Sequence, residues 1–350
     1  LRRISRTVED DLGAGAVPGA IDAAIKRLIG FEVQFGPFAA AQLRLVAEIL
    51  DLTGRTRVKG APLPEPRLFI TDTLDDPFHE THFPAMLAPI GQSHQGANRI
   101  KREEEITVVL GNPPYKEKAK GRGGWIEDGT QGREAPLARW LPPATWGVGA
   151  HAKHLRNLYV YFWRWATWKV FGSGYGASTG EKDEDRVGIV CFITVAGFLN
   201  GPGFQKMRDD LRRECSHIWV IYCSPEGYQP EVATRIFQGV QQPVCIVLAA
   251  RPAGKDSGQP AQIHYRGLTP GRREAKFAEL AMIRLDGDGW TPGLGGFRDP
   301  FLADHPQCRR TNIERILRVP RDRHHHRFQI VIVYPRRRQH RQCAPHRSLI

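Results

Sequence analysis

The sequence predicts an α/β protein built on a parallel sheet, and three observations lead there. Six short apolar runs, at 28–33, 68–74, 106–112, 187–195, 217–223 and 243–250, read as strands because they are rich in β-branched residues and bounded by Gly, Pro or charged residues. Several are apolar throughout rather than alternating, as strands covered on both faces are. Helical patterns lie between them, and that alternation is the mark of parallel α/β sheets.

Each helix has its own signal. Over 37–52, Phe38, Ala41, Leu45 and Ile49 recur at helical spacing, and Pro37 suits a first turn. Over 155–171, Leu155, Leu158, Tyr159, Phe162 and Trp165 form one face. The segment 203–215, "GFQKMRDDLRREC", reads as a shorter amphipathic helix. Residues 116–150 are rich in Gly, Pro and Trp, too long for a plain loop and better suited to a lid. Residues 172–186 read as a flexible surface loop.

Composition bounds the function. The chain has 350 residues, room for one large domain or two ordinary ones. No apolar run of about 18 residues exists, so nothing is expected to span a membrane. The N-terminal residues have no apolar core of a signal peptide. Six cysteines form no CxxC pair, which predicts a reduced, cytoplasmic protein without a zinc site. The net charge is +13, but residues 309–350 hold twelve arginines against Glu314 and Asp322, so ten of those charges belong to the tail. Composition changes abruptly near Arg309. An arginine-rich arm is one reading of the tail, and a disordered or non-native segment, such as out-of-frame translation, is the favoured one.

The most informative stretch is "EITVVLGNPPYKEK", residues 105–118, where a buried-looking strand ends in Asn112, Pro113, Pro114 and Tyr115. These residues suit the capture of an exocyclic amino group. The amino nitrogen of adenine is a poor nucleophile because its lone pair is delocalised into the ring. Two acceptors placed out of the ring plane would free that lone pair to attack an electrophilic methyl. The Asn112 amide oxygen is one such acceptor and the Pro113 carbonyl the second. Prolines fix both, since each ring locks φ and the residue before a proline is pushed to extended ψ. Tyr115 offers a flat face for stacking, worth about 1–3 kcal/mol per base, against the few kcal/mol needed to flip a base out of a duplex. A plain proline-terminated strand is the bland alternative. Its position at the C-terminal end of a predicted parallel strand, where such sheets bind ligands, weighs against it.

At these residues the chain resembles the adenine-specific (N6) DNA methyltransferases with an Asn-Pro-Pro-Tyr motif, and among them the type ISP-like restriction–modification enzymes. The resemblance runs from residue 1 to about 265 and includes "LIGFEVQFGPFAAAQLRL", "LFITDTL", "LYVYFWRWATWKVF", "GIVCFITVAGFLNGPGFQKMRDDLRR" and "TRIFQGVQQPVCIVL". It implies a Rossmann-like S-adenosylmethionine-dependent methyltransferase sheet with helices on both faces. It implies S-adenosyl-L-methionine as cofactor and double-stranded DNA with a flipped adenine as partner, with restriction nuclease or helicase parts in company. Glu32 is then expected to hold the cofactor ribose, with Val33 against the adenine ring. Asp72 would accept from the cofactor's amino group, with Thr73 beside it, and Phe237 would be a second aromatic on the flipped base.

One departure from the resemblance stands out. The family's glycine-rich cofactor loop follows a first strand, and neither is found here. "LGAGAVPG" (12–19) is no substitute, since a cofactor-cradling glycine loop follows a strand and opens a helix. The expectation is a truncated catalytic domain over 1–265 whose first strand is missing, leaving two unpaired edges in mid-sheet, with weak cofactor binding and poor activity. Residues 266–308 are expected to begin a C-terminal or target-recognition segment. "HETH" (79–82) has the wrong spacing for a helical zinc pair, and no metal is expected. Two other functions remain open at this point: a glutamine-N5 or RNA base methyltransferase sharing the motif, and a non-catalytic DNA-binding remnant.

Overall fold

The structure, a computed structural model, describes residues 1–55, 65–79, 81–130, 132–172, 186–227 and 234–304, together with the backbone of Val331–Pro335. Its centre is a nine-stranded sheet formed by β1 (Ile29–Glu32), β2 (Arg67–Ile70), β3 (Ile106–Gly111), β4 (Gly188–Val195), β5 (His217–Tyr222), β6 (Val244–Arg251), β7 (Gln262–Gly267), β8 (Thr291–Pro292) and β9 (Val331–Pro335). Their order across the sheet is β2-β1-β9-β3-β4-β6-β5-β7-β8. All six strands read from the sequence are present.

The sheet is mixed, which corrects the parallel expectation. β1 runs parallel to β2, β3 to β4, and β5 to β7, whereas β6 is antiparallel to both β4 and β5. An apolar run signals burial on both faces but carries no sign of direction, so "PVCIVLAA" reads alike either way.

The second correction concerns the gap expected in mid-sheet. β9 lies between β1 and β3, antiparallel to both, and Val331 stands opposite Phe31 on one side and Gly111 on the other. The N–H and C=O groups of β1 and β3 that would face each other across an empty slot are paired instead, as interior strands require. Within the Arg- and His-rich tail, "VIVY" is the β-branched run fit for that place. The rest of the tail, and the loop expected at 172–186 except its ends, lie outside the described residues.

Helices α1 (Arg2–Leu12), α2 (Val17–Ile25) and α3 (Phe35–Thr53) flank β1, with Ile21, Ile25 and Ile49 joined in one small core. Of the glycines of "LGAGAVPG", Gly13 and Gly15 fall between α1 and α2 and Gly19 lies within α2, so they follow a helix rather than a strand. α3 ends on Gly54 at φ 63°, the left-handed cap that favours glycine. α4 (Ala88–Glu103) packs on β2.

The short α5 (Trp125–Asp128) leads to α6 (Leu158–Phe171), and every residue of α6 is buried. It was expected to show one apolar face. Aromatics surround it instead: Trp163 meets Phe192 at 5.0 Å, Trp165 meets Phe31 at 6.1 Å, and Trp168 meets Trp125 at 4.8 Å. Residues 116–150, expected as a lid, therefore contribute Trp125, Ile126, Leu137 and Trp140 to the main core. Each large apolar side chain so buried is worth about 1.5–3 kcal/mol, which holds the segment in place.

α7 (Gln205–Glu214) carries buried charge. Arg208 donates to the carbonyls of Phe198 and Gly201, both at 2.9 Å, and Arg212 to Leu294 O at 2.7 Å. Asp210 accepts from Trp140 Nε1 at 2.9 Å and from Arg139 Nε at 2.7 Å. Through Arg212 and the Phe198–Phe301 ring contact, residues beyond 266 are tied to α7 and to the turn after β4. β7 itself straddles the boundary expected at 265. α8 (Arg273–Met282) completes the fold.

Candidate functional site

The register of the sheet brings four of the sequence-predicted segments to one rim. Phe31 and Gly111 are both opposite Val331, so Glu32 and Asn112, each one residue further on, leave the sheet level with each other. Two strand spacings separate them, about 10 Å. On the other side of β1, Glu32 is paired with Ile70, and Thr71 N–H donates to Glu32 O at 3.0 Å. Asp72 and Thr73 follow at once. Phe237 precedes β6, whose first residue Val244 is opposite Val195 at the end of β4, so it reaches the same rim from the antiparallel side.

At the centre of that rim, Asn112 is exposed while Pro113 and Pro114 are buried. The Tyr115 hydroxyl donates to Asn112 Oδ1 at 2.5 Å and lies 3.5 Å from Ile193 O. Burial pushes that hydroxyl well above its usual range, so it stays protonated and remains a donor. A carbonyl oxygen has two lone pairs, so Oδ1 keeps one acceptor position. The Tyr115 and Phe237 rings stand 6.4 Å apart between centroids, inclined at 54°. They form an aromatic corner next to the amide.

The flank toward β2 is rich in acceptors. Glu32 is buried, with Oε1 accepting from Gln34 N–H at 2.8 Å, while Val33 beside it is 38% exposed. Asp72 accepts from Leu74 N–H at 2.9 Å, and its own burial holds its carboxyl above the usual range. Thr73 Oγ1 is buried and has no hydrogen-bond partner among the described residues. Two carboxylates, an orphan hydroxyl and an exposed apolar surface are a donor and acceptor set that a nucleoside can satisfy. The residues present therefore fit the adenosine half of S-adenosylmethionine.

One cation beneath this flank gave no signal in the sequence. Lys101, in the last turn of α4, reads there as a solvated helix end beside Arg102. It is instead fully buried, donating from Nζ to Asp72 O at 2.6 Å and to Thr71 Oγ1 at 3.2 Å.

The chain after the motif docks on the same flank. Trp125 N–H donates to Leu74 O at 3.3 Å. Gly124 has φ 51°, and a Cβ there would come 2.2 Å from Leu74 O, so only glycine allows the approach. Leu158 N–H donates to Lys116 O at 2.8 Å and Lys118 N–H to Asn157 Oδ1 at 3.0 Å, which ties the motif loop to α6.

A separate cavity of about 540 Å³ lies beside α4, lined by His79, His82, His94, Asn98, Arg99 and Arg102 among others. None of the sequence-predicted site residues lines it. "HETH" contributes His79 and His82 to its wall, and among the described residues no group of three or more His, Cys, Asp or Glu could hold a metal ion. Cys191, Cys215, Cys223 and Cys245 are free thiols. No described helix is long and apolar enough to cross a membrane.

No protein-family model matches the chain, and no curated protein does. Solved structures do match. The ATP-dependent Type ISP restriction–modification enzyme LlaBIII bound to DNA is similar with a TM-score of 0.58 and 20% identity, over 80% of this chain and 18% of that one. A nuclease-deletion mutant of the Type ISP enzyme LlaGI, in complex with a DNA substrate mimic, matches with a TM-score of 0.58 and 16% identity over 83% and 22%. The DrdV–DNA complex gives 0.50 and 18% over 75% and 23%. The chain spans about a fifth of the length of these structures, and at such identities the likeness is one of fold.

Proposed function

We propose that the chain is the methyl-transferring part of a restriction–modification enzyme, acting on adenine N6 in DNA with S-adenosyl-L-methionine as cofactor. The observation that carries this reading is the Asn112–Pro113–Pro114–Tyr115 corner at the rim, level with Glu32 and flanked by Phe237. Asn112 Oδ1 and the Pro113 carbonyl accept the two amino hydrogens of a flipped adenine. Tyr115 and Phe237 hold the base by stacking, which offsets the few kcal/mol of unstacking. Glu32 and Asp72 take the ribose hydroxyls and the amino group of the cofactor, with Val33 and Thr73 beside them. Bound there, S-adenosylmethionine supplies an electrophilic methyl. With the amino group held by Asn112 and Pro113, the proton it sheds on gaining a methyl would leave to solvent, so no side-chain base is required.

In this reading the sheet is a Rossmann-like methyltransferase sheet, and residues 266–308 begin the region that reads the DNA sequence. Nuclease or helicase parts belong to the remainder of a longer enzyme. The experiment is methyl transfer from labelled cofactor to DNA, RNA and protein, with the product identified by mass spectrometry. N6-methyladenine in DNA, formed slowly and lost in Asn112→Ala and Asp72→Ala, is the expected result. Methylation of RNA or of glutamine, or an unchanged rate in Asn112→Ala, overturns it.

A further inference from the structure

Lys101 lies beneath the adenosine flank without touching any residue's site-facing group. Its Nζ is shared between Asp72 O at 2.6 Å and Thr71 Oγ1 at 3.2 Å, and lies 5.6 Å from the centre of the Phe31 ring. Phe31 immediately precedes Glu32, and Thr71 N–H donates to Glu32 O at 3.0 Å. One ammonium group therefore touches both strands that deliver the acceptors expected to hold adenosine. It is placed from below, since Lys169 on α6 donates from Nζ to Lys101 O at 2.7 Å. Within the turn itself, Asp75 N–H and Thr71 Oγ1 also donate to Asp72 O, both at 3.2 Å, and Asp72 caps Leu74 N–H at 2.9 Å, while Thr73 Oγ1 has no partner among the described residues.

We propose that Lys101 is a positioning residue for adenosine, fixing the Thr71–Asp72–Thr73 turn against Glu32 so that the acceptors of the two strands converge on one nucleoside. This deepens the proposed function and rests on it. A buried amine is costly, because its charge is penalised by desolvation. A lysine that served packing alone would be better replaced by leucine or methionine. Here the three donors of an ammonium meet a carbonyl, a hydroxyl and an aromatic face, which an apolar side chain cannot supply.

Charge gives the role its own signature. Burial lowers the Lys101 amine to about 8, while Asp75, Asp72 and Asp76 on the turn act to raise it. The other titratable group in contact, Lys169, is lowered by burial to about 7. As pH rises through 8, Lys101 loses its charge and its hold on the aspartates of the turn. The protein as a whole is not weakened by that loss, since neutralising a buried amine relieves desolvation. A positioning role thus makes cofactor affinity fall over a range in which stability rises. A merely structural role makes the two move together.

The test is calorimetric titration of the full chain with S-adenosylhomocysteine between pH 6.5 and 9.5, beside thermal melts at each pH. Expected is an affinity about ten- to a hundredfold weaker above pH 8, with a rising melting temperature. Lys101→Met should bind that much more weakly at every pH and lose the pH dependence, while Lys169→Met keeps it. Affinity that follows melting temperature, or Lys101→Met binding as the parent does, overturns the inference. If the parent binds, Asp72→Ala abolishes binding and Lys101→Met does not weaken it, this inference alone fails. If the parent binds no S-adenosylhomocysteine at all, the functional reading fails and takes the inference with it.

Discussion

The Tyr115 hydroxyl holds Asn112 Oδ1 at 2.5 Å, so the aromatic that would stack on a base also fixes the amide that would accept its amino group. Stacking and acceptor alignment are therefore separable by substitution. Tyr115→Phe keeps the ring and frees the amide: base binding should hold, and the rate of methyl transfer should drop about tenfold. Tyr115→Ala removes both and should weaken binding of the flipped base by about 1–3 kcal/mol as well. Fluorescence of 2-aminopurine at the target position reports binding, and single-turnover transfer reports the rate.

Burial of two lysines sets a pH dependence of stability. The amines of Lys101 and Lys169 are lowered to about 8 and about 7 in the folded chain, against an ordinary value of 10.5. Between the folded and unfolded values the unfolded chain binds more protons, so unfolding free energy rises with pH from about 7 to 10. Urea melts at pH 7 and pH 9.5 should differ in midpoint in that direction, and Lys169→Met should flatten the rise. Equal or falling midpoints would refute the assignment.

The paired backbone of β9 makes a second stability prediction. Val333 is opposite Ile29 on one side and Val109 on the other. Val333→Pro removes an N–H from an interior strand, where proline is not tolerated, and leaves a buried carbonyl unpaired. A loss of about 1–3 kcal/mol is expected. Val333→Ala, which keeps the backbone N–H, should cost less, and chemical denaturation compares the two.

The buried carboxylate on α7 is a third point of control. Asp210→Ala leaves Trp140 Nε1 without its acceptor and removes one of two carboxylates on Arg139, which keeps Glu214 Oε1 at 2.7 Å. An indole N–H left buried without an acceptor costs about 1–3 kcal/mol. Asp210→Asn retains an acceptor for Trp140 and should cost less. Thermal melts of the two variants rank them.

How much of this was legible beforehand differs by kind of feature. The strands at 28–33, 106–112 and 187–195 were visible because β-branched runs between charged or glycine-rich borders have few other uses. The candidate residues were visible where a strand ends in unusual chemistry, as at Asn112. Direction was not, since β6 has the same composition as a parallel strand would. Burial of charge was not either. "IKREEE" and "RDDLRR" look like solvated helix faces, yet Lys101, Arg208 and Arg212 each spend their donors on carbonyls of other segments. Such pairings are three-dimensional and leave no period in the sequence. β9 was missed because an apolar run in an arginine-rich tail has no neighbour in sequence that hints at its place.

The position of β9 also constrains when the molecule can finish folding. The strand joins β1 and β3, whose partners in it lie some hundreds of residues away along the chain. During synthesis the two halves of the sheet exist before the segment that bridges them has been made. Contacts of such long sequence separation form slowly, and the waiting halves expose strand edges to other chains. Yield on refolding should therefore depend on concentration far more than final stability does, and a supplied peptide of the β9 sequence should relieve that dependence.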